Sequence, residues 1–174
     1  MPTENDQVFR QQLLRGYVHD QGAAMLGGVA GHAGLFSNAN DFAQLSCKCT
    51  SMVAIMVVSA IWTLLPCARF TRCQYCDNDN RRGIGFDKPQ LEGPGPTCGC
   101  VSPLSYGHTG FTGTIAWADP DEEIVYIFLS NRVHPDASNR ELLSLSTRTR
   151  IQKVIYNSIE DESENTPVIT EFKP

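Results

Sequence analysis

The chain has 174 residues, little more than one domain length, so one domain or a piece of one is expected rather than two independently folded units. Hydrophobic residues at 41% and charged residues at 19%, with 14 Gly and 10 Pro, exclude a disordered or collagen-like chain. Fourteen Lys+Arg against nineteen Asp+Glu give a net charge of -5, so there is no electrostatic drive toward nucleic acid or anionic lipid.

Residues 1–10 are polar and carry no basic stretch leading into an apolar run, so no signal peptide is expected. Residues 9–34 contain Gly27, Gly28, Gly31 and Gly34 around short apolar pieces, the composition of a shaped loop region. Ser37-Asn38-Ala39-Asn40-Asp41 then supplies N-cap candidates and early negative charge ahead of Phe42 and Leu45, as a helix start requires.

The composition breaks after this point. No Gly occurs between Leu35 and Arg82, no Asp or Glu between Phe42 and Cys76, and five of the seven Cys fall between Cys47 and Cys76. A secreted disulfide scaffold would be shorter, with its Cys spread more evenly. Met52 to Leu65 is an apolar run shorter than the ~20 residues that span a bilayer, so a membrane anchor is disfavoured. As a buried helix or strand the run lacks an amphipathic period. A reading-frame slip over residues 46–70 is the third reading. Back-translation one base out of frame forces Gly from Met52-Val53 and Met56-Val57 and Asp from Trp62-Thr63, whatever synonymous codons are used. With permissive wobble choices, the shifted frame continues the helical pattern begun at 41–45 and closes it with Gly.

Residues 77–105 are punctuated by Asn, Gly and Pro and read as connecting loops flanking a short piece at 84–86. Two strand signals follow, His108 to Trp117 and Glu123 to Ser130, and Asp119 to Glu122 between them is turn chemistry for an antiparallel hairpin. Residues 136–139 cap a final helix whose apolar positions Leu143, Ile151, Val154, Ile155 and Ile159 are expected to pack on that hairpin. Residues 160–174 are expected to be an acidic disordered tail. The fold class is α+β, an antiparallel sheet packed with a C-terminal helix.

Three candidate groups carry chemistry. In Gly107-His108-Thr109-Gly110-Phe111-Thr112-Gly113-Thr114, three Gly interrupt a strand, marking either close packing or a strand edge lining a site. Cys73, Cys76, Cys98 and Cys100 form two close pairs, an alternative reading being a small noncatalytic zinc-binding or interaction domain. His19-Asp20 and His32 suggest a catalytic dyad, but no Ser or Cys is spaced to serve it, so structural hydrogen bonding is the better reading.

A His-Thr-Gly box on a strand, followed by a hairpin and a C-terminal helix, resembles the serine β-lactamase and penicillin-binding-protein-like hydrolases. Pro2-Thr3-Glu4, Gly16-Tyr17-Val18-His19-Asp20, residues 27–45, residues 81–89 and residues 128–135 are similar to the class C, esterase-type branch. They look closest to the lactamase-like module that follows family 3 β-N-acetylglucosaminidases in some bacterial proteins. The resemblance implies a partial β-lactamase/transpeptidase-like fold over residues 1–159, acyl-enzyme chemistry on peptidoglycan-type peptides, β-lactams or esters, a periplasmic or cell-envelope setting, and neither metal nor cofactor.

It further implies that His108 occupies the Lys/His position of the box, that Thr109 and Gly110 border the substrate, and that the Phe111 N–H is one oxyanion donor. The family's nucleophile lies in S-x-x-K and is assisted by a Tyr of a second motif. In this sequence no Ser has Lys three positions later, and no Tyr has Asn two positions later. The resemblance therefore implies the C-terminal part of a longer domain, inactive alone, with the missing N-terminal part as its partner.

Overall fold

The computed structural model describes residues 2–50, 64–78, 80–90, 92, 93 and 95–165. Most of the 46–70 segment for which a frame slip is inferred, and most of the apolar run from Met52, lies outside them. No helix among the described residues is long and apolar enough to cross a membrane.

The fold is α+β. Strands β1 (Glu4–Asp6) and β2 (Gln12–Leu14) pair antiparallel. Three short or medium helices follow, α1 (Gln21–Met25), α2 (Ala39–Thr50) and α3 (Leu64–Thr71). Strands β3 (Tyr106–Thr109), β4 (Ile115–Asp119) and β5 (Ile124–Phe128) form an antiparallel sheet in the order β3-β4-β5, and helices α4 (Glu141–Ser144) and α5 (Thr147–Asn165) close the chain. Helix α2 starts where its sequence places the cap: Asn38 Oδ1 accepts the Asp41 N–H at 3.1 Å. It packs on β4 and β5.

The expected single strand from His108 to Trp117 is instead two strands joined by a tight turn. Gly113 sits at φ +94°, and the Gly110 N–H bonds Thr114 O while the Gly113 N–H returns to Gly110 O. Backbone of that shape reverses the chain, which β-branched composition alone does not reveal. The expected turn at 119–122 does connect β4 to β5.

The core centres on β4, where Ile115 and Trp117 are buried against Tyr126, with Val101 and Phe128 at the margin. Gly107 lies opposite Trp117 in the register, and any Cβ there would collide with the indole, so the glycine makes the room that the ring fills. The indole N–H donates to the buried Ser105 hydroxyl at 3.0 Å. Truncating a buried ring of this size typically costs about 3–5 kcal/mol.

Helix α5 does not dock through the apolar face its periodicity suggests. Arg148, Gln152 and Tyr156, spaced by four, face the sheet and its flanking loop: Arg148 Nη1 donates to Thr114 O, Gln152 Oε1 accepts the Cys98 N–H, and the Tyr156 hydroxyl donates to Asp119 Oδ2 at 2.8 Å. Gln152 and Tyr156 are buried, whereas Ile151, Val154, Ile155 and Ile159 are exposed. Hydrogen-bonding demand from the sheet, rather than apolar area, sets the rotation of the helix. The helix also runs through the acidic residues 160–164 to Asn165.

Asp119 gathers the Ser102 N–H, the Ser102 hydroxyl and the Tyr156 hydroxyl on one buried carboxylate. Burial first, and the adjoining carboxylate second, push the Tyr156 phenol far above the ordinary tyrosine range, so the hydroxyl remains a donor. Tyr156→Phe is expected to cost about 1–2 kcal/mol. Asp119→Ala, which strands these donors and the Asp121 N–H, is expected to cost about 3–4 kcal/mol, both read as urea midpoint shifts at unchanged slope.

Candidate functional site

The candidate site is the end of β3 and the turn that follows it. His108 projects from β3 with one ring nitrogen 2.7 Å from Thr109 O and the other 3.4 Å from Arg82 Nη1. A carbonyl only accepts and a guanidinium only donates, so Nδ1 carries the proton and Nε2 presents its lone pair to Arg82. Arg82 also pairs with the buried Asp87 carboxylate at 3.2 Å, and Arg81 contacts the same group at 3.3 Å. Asp87 in turn exchanges both backbone hydrogen bonds with Gly107, fixing residues 81–87 along the outer edge of β3.

Thr109 closes the strand, and Gly110 leads into the turn. Among the described residues, the Thr109 hydroxyl and the Phe111 N–H have no hydrogen-bond partner. The turn itself is held rigidly. Arg132 donates from Nε to Phe111 O at 2.8 Å, from its backbone N–H to Thr112 O, and from Nη1 to Ala137 O and Asn139 O. Its guanidinium carbon lies 4.4 Å from the Phe111 ring centroid, and the His19 ring stacks on the same phenyl at 5.4 Å with an interplanar angle of 5°. Chemically, this is an ordered strand end with an N–H and a hydroxyl free to receive a carbonyl or carboxylate oxygen.

The N-terminal loops are carried to this place by a small polar network. Asp6 accepts the backbone N–H groups of Val8, Phe9 and Arg10, and the Phe9 bond above all holds its carboxyl well below the ordinary aspartate range. Arg10, paired with Asp6, donates to Val18 O and His19 O, which places His19 against Phe111. Asn131 Nδ2 donates to Pro2 O and Thr3 O, tying the start of the described chain to the segment after β5. Burial keeps the His19 imidazole below the ordinary histidine value. Asp20 opposes this shift, while Arg10 and Arg132 reinforce it.

Asp20 and His32 do come together, at 2.9 Å, but Asp20 also accepts the Ala23 N–H as the N-cap of α1, so the pair is a structural hydrogen bond at a helix start. The zinc alternative is overturned. Cys73–Cys76 and Cys98–Cys100 are disulfides, which leaves no thiolates at those positions to ligate a metal. No group of three or more His, Cys, Asp or Glu among the described residues is arranged to hold a metal ion.

His108, Thr109, Gly110 and Phe111 are therefore contiguous at one strand end, as their spacing suggests, and the sequence reading assigned no role to Arg82, His19 or Arg132 beside them. All three lie in the strings that carry the family resemblance; what those strings do not reveal is that they converge on one turn.

Comparison with known families bears on the same residues. The family model described as Beta-lactamase matches residues 2–147. The chain belongs to the beta-lactamase family. Curated relatives include a protein of Salmonella enteritidis named "Putative D-alanyl-D-alanine carboxypeptidase", 33% identical over 168 residues covering 87% of this chain and 37% of the relative. A Salmonella typhi protein of the same name is 34% identical over 162 residues, again with 87% of this chain and 37% of the relative covered. The chain thus spans little more than a third of the length of these relatives. No solved structure matches significantly.

Two measurements test this geometry. Phe111→Ala removes the stacked ring and is expected to raise the His19 pKa toward the ordinary histidine value, read by NMR titration. Because the folded His19 value is lowered, the unfolded chain takes the proton first. The stability contributed by neutral His19 is therefore complete above the unfolded value and is lost as pH falls through it toward the folded one. Phe111→Ala should flatten that loss. Gly113→Ala, which places a Cβ against Leu142 and the Ser130 hydroxyl at φ +94°, is expected to cost about 2–4 kcal/mol in urea unfolding.

Proposed function

We propose that this chain is the substrate-binding portion of a beta-lactamase-family serine hydrolase whose complete form cleaves D-alanyl-type peptides, β-lactams or simple esters through an acyl-enzyme. The observation that carries the reading is the unpartnered Phe111 N–H beside Thr109 at the end of β3, on a turn locked by Arg132. Donors aimed at one point in space and fixed in advance are what stabilises a developing oxyanion. Thr109 then holds the substrate's carbonyl or carboxylate, His108 lines the approach as a neutral imidazole, and Gly110 lets the substrate lie close to the backbone.

The resemblance to relatives named as carboxypeptidases supports peptides ending in a free carboxylate as the first substrate class to try. The chain supplies no S-x-x-K nucleophile, and loss of nucleophile and base removes the covalent route itself, so the polypeptide alone is inactive. Its partner is the remainder of the same domain, carrying that serine.

The test is hydrolysis of nitrocefin and of p-nitrophenyl acetate by the pure chain. No burst, no covalent adduct by mass spectrometry and no turnover above buffer are expected. Activity is expected to appear when a polypeptide bearing the family's S-x-x-K segment is co-expressed, and to fall at least about tenfold when Thr109 is changed to Val in that pair. Repeated turnover with a trapped adduct from the chain alone would refute the reading.

A further inference from the structure

Cys98 and Cys100 are joined across a single residue, Gly99, which sits at φ +75°. A disulfide stabilises mainly by restraining the unfolded chain, and it restrains least when it closes so short a loop. A structural crosslink is thus a poor account of this pair, and its surroundings point to another role.

Both cysteines are half-buried rather than sealed. The Cys100 N–H points at Cys98 Sγ, 3.3 Å away, and so stabilises charge on that sulfur in preference to the other. The Cys98 N–H is held at 3.0 Å by Oε1 of the fully buried Gln152, whose Nε2 has no partner among the described residues. On the other side, Ser102 is fastened twice to Asp119. The loop is anchored at both ends independently of the S–S bond, so the two sulfurs stay close when that bond opens.

We propose that Cys98 and Cys100 form a redox-active dithiol/disulfide site that exchanges with small or protein dithiols. A thiolate of the dithiol attacks Cys100 Sγ, forming a new S–S bond. The old bond breaks with its electron pair leaving on Cys98 Sγ, where the Cys100 N–H receives the charge. The dithiol's second thiolate then attacks the dithiol sulfur bonded to Cys100, closing a cyclic disulfide and expelling the Cys100 thiolate. Each new thiolate takes a proton from water. The dithiol is oxidised by two electrons to its cyclic disulfide, and the protein pair is reduced by two.

The test uses the full chain equilibrated in mixtures of reduced and oxidised dithiothreitol, quenched with N-ethylmaleimide and read peptide by peptide, with circular dichroism recorded in parallel. The expected result is one reversible two-electron transition of the 98/100 pair with the fold intact. A second measurement compares single variants at pH 7: the Cys98 thiol left by Cys100→Ser should alkylate at least about tenfold faster than the Cys100 thiol left by Cys98→Ser. A pair that opens only in denaturant, fails to re-form in oxidised dithiothreitol, or gives equal rates in the two variants would overturn the proposal; the titration stands even if neither variant folds.

Discussion

The contact on which most of this fold depends is the buried carboxylate of Asp119, at the end of the central strand β4. It receives donors from the loop before β3 and from Tyr156 on α5, and so joins sheet, loop and terminal helix in one place. A buried charge is tolerable only when it is well supplied with hydrogen bonds, and these partners supply it. Gln152 and Arg148, one and two turns earlier on the same helix face, extend the attachment to Cys98 and to Thr114. The terminal helix is held by directed polar contacts at fixed positions, which specify its rotation more sharply than apolar packing could.

One consequence is the apolar stripe of Ile151, Val154, Ile155 and Ile159, left facing outward on α5. Among the described residues, β5 pairs with β4 on one side only. Contiguous exposed apolar surface and an open strand edge are features that folded chains normally cover. The chain spans little more than a third of the length of its curated relatives.

The site follows a different physical rule from the core. Its geometry comes from the turn at 110–114, where glycine conformations reverse the chain and Arg132 holds the carbonyls of Phe111 and Thr112 from the outside. Satisfying the carbonyls while the Phe111 N–H stays free among the described residues orients a donor without consuming it. Arg82 does the analogous service for His108, fixing its tautomer through a guanidinium that is itself anchored on Asp87. The Asp6–Arg10 network then brings His19 onto Phe111, so residues far apart in the chain contribute to one rigid strand end.

Much of this was legible in the residues alone. The Asn38 cap of α2, the turn at 119–122, the β5 strand and the box at 108–111 all rest on local chemistry: a side-chain oxygen beside a free N–H, turn-forming residues between β-branched runs, and glycines in a motif. The rotation of α5 was not legible, because periodicity counts apolar residues and cannot know that a buried carboxylate on another strand requires a tyrosine hydroxyl. Nor was the split of the 108–117 segment, since a glycine signals freedom without saying which conformation is taken. The sequence by itself determined the family, the placement of the box and the lack of an S-x-x-K serine in this chain. Only the tertiary structure decided which groups surround the box and that the paired cysteines bond to each other, because those outcomes depend on distances between residues that the linear order does not contain.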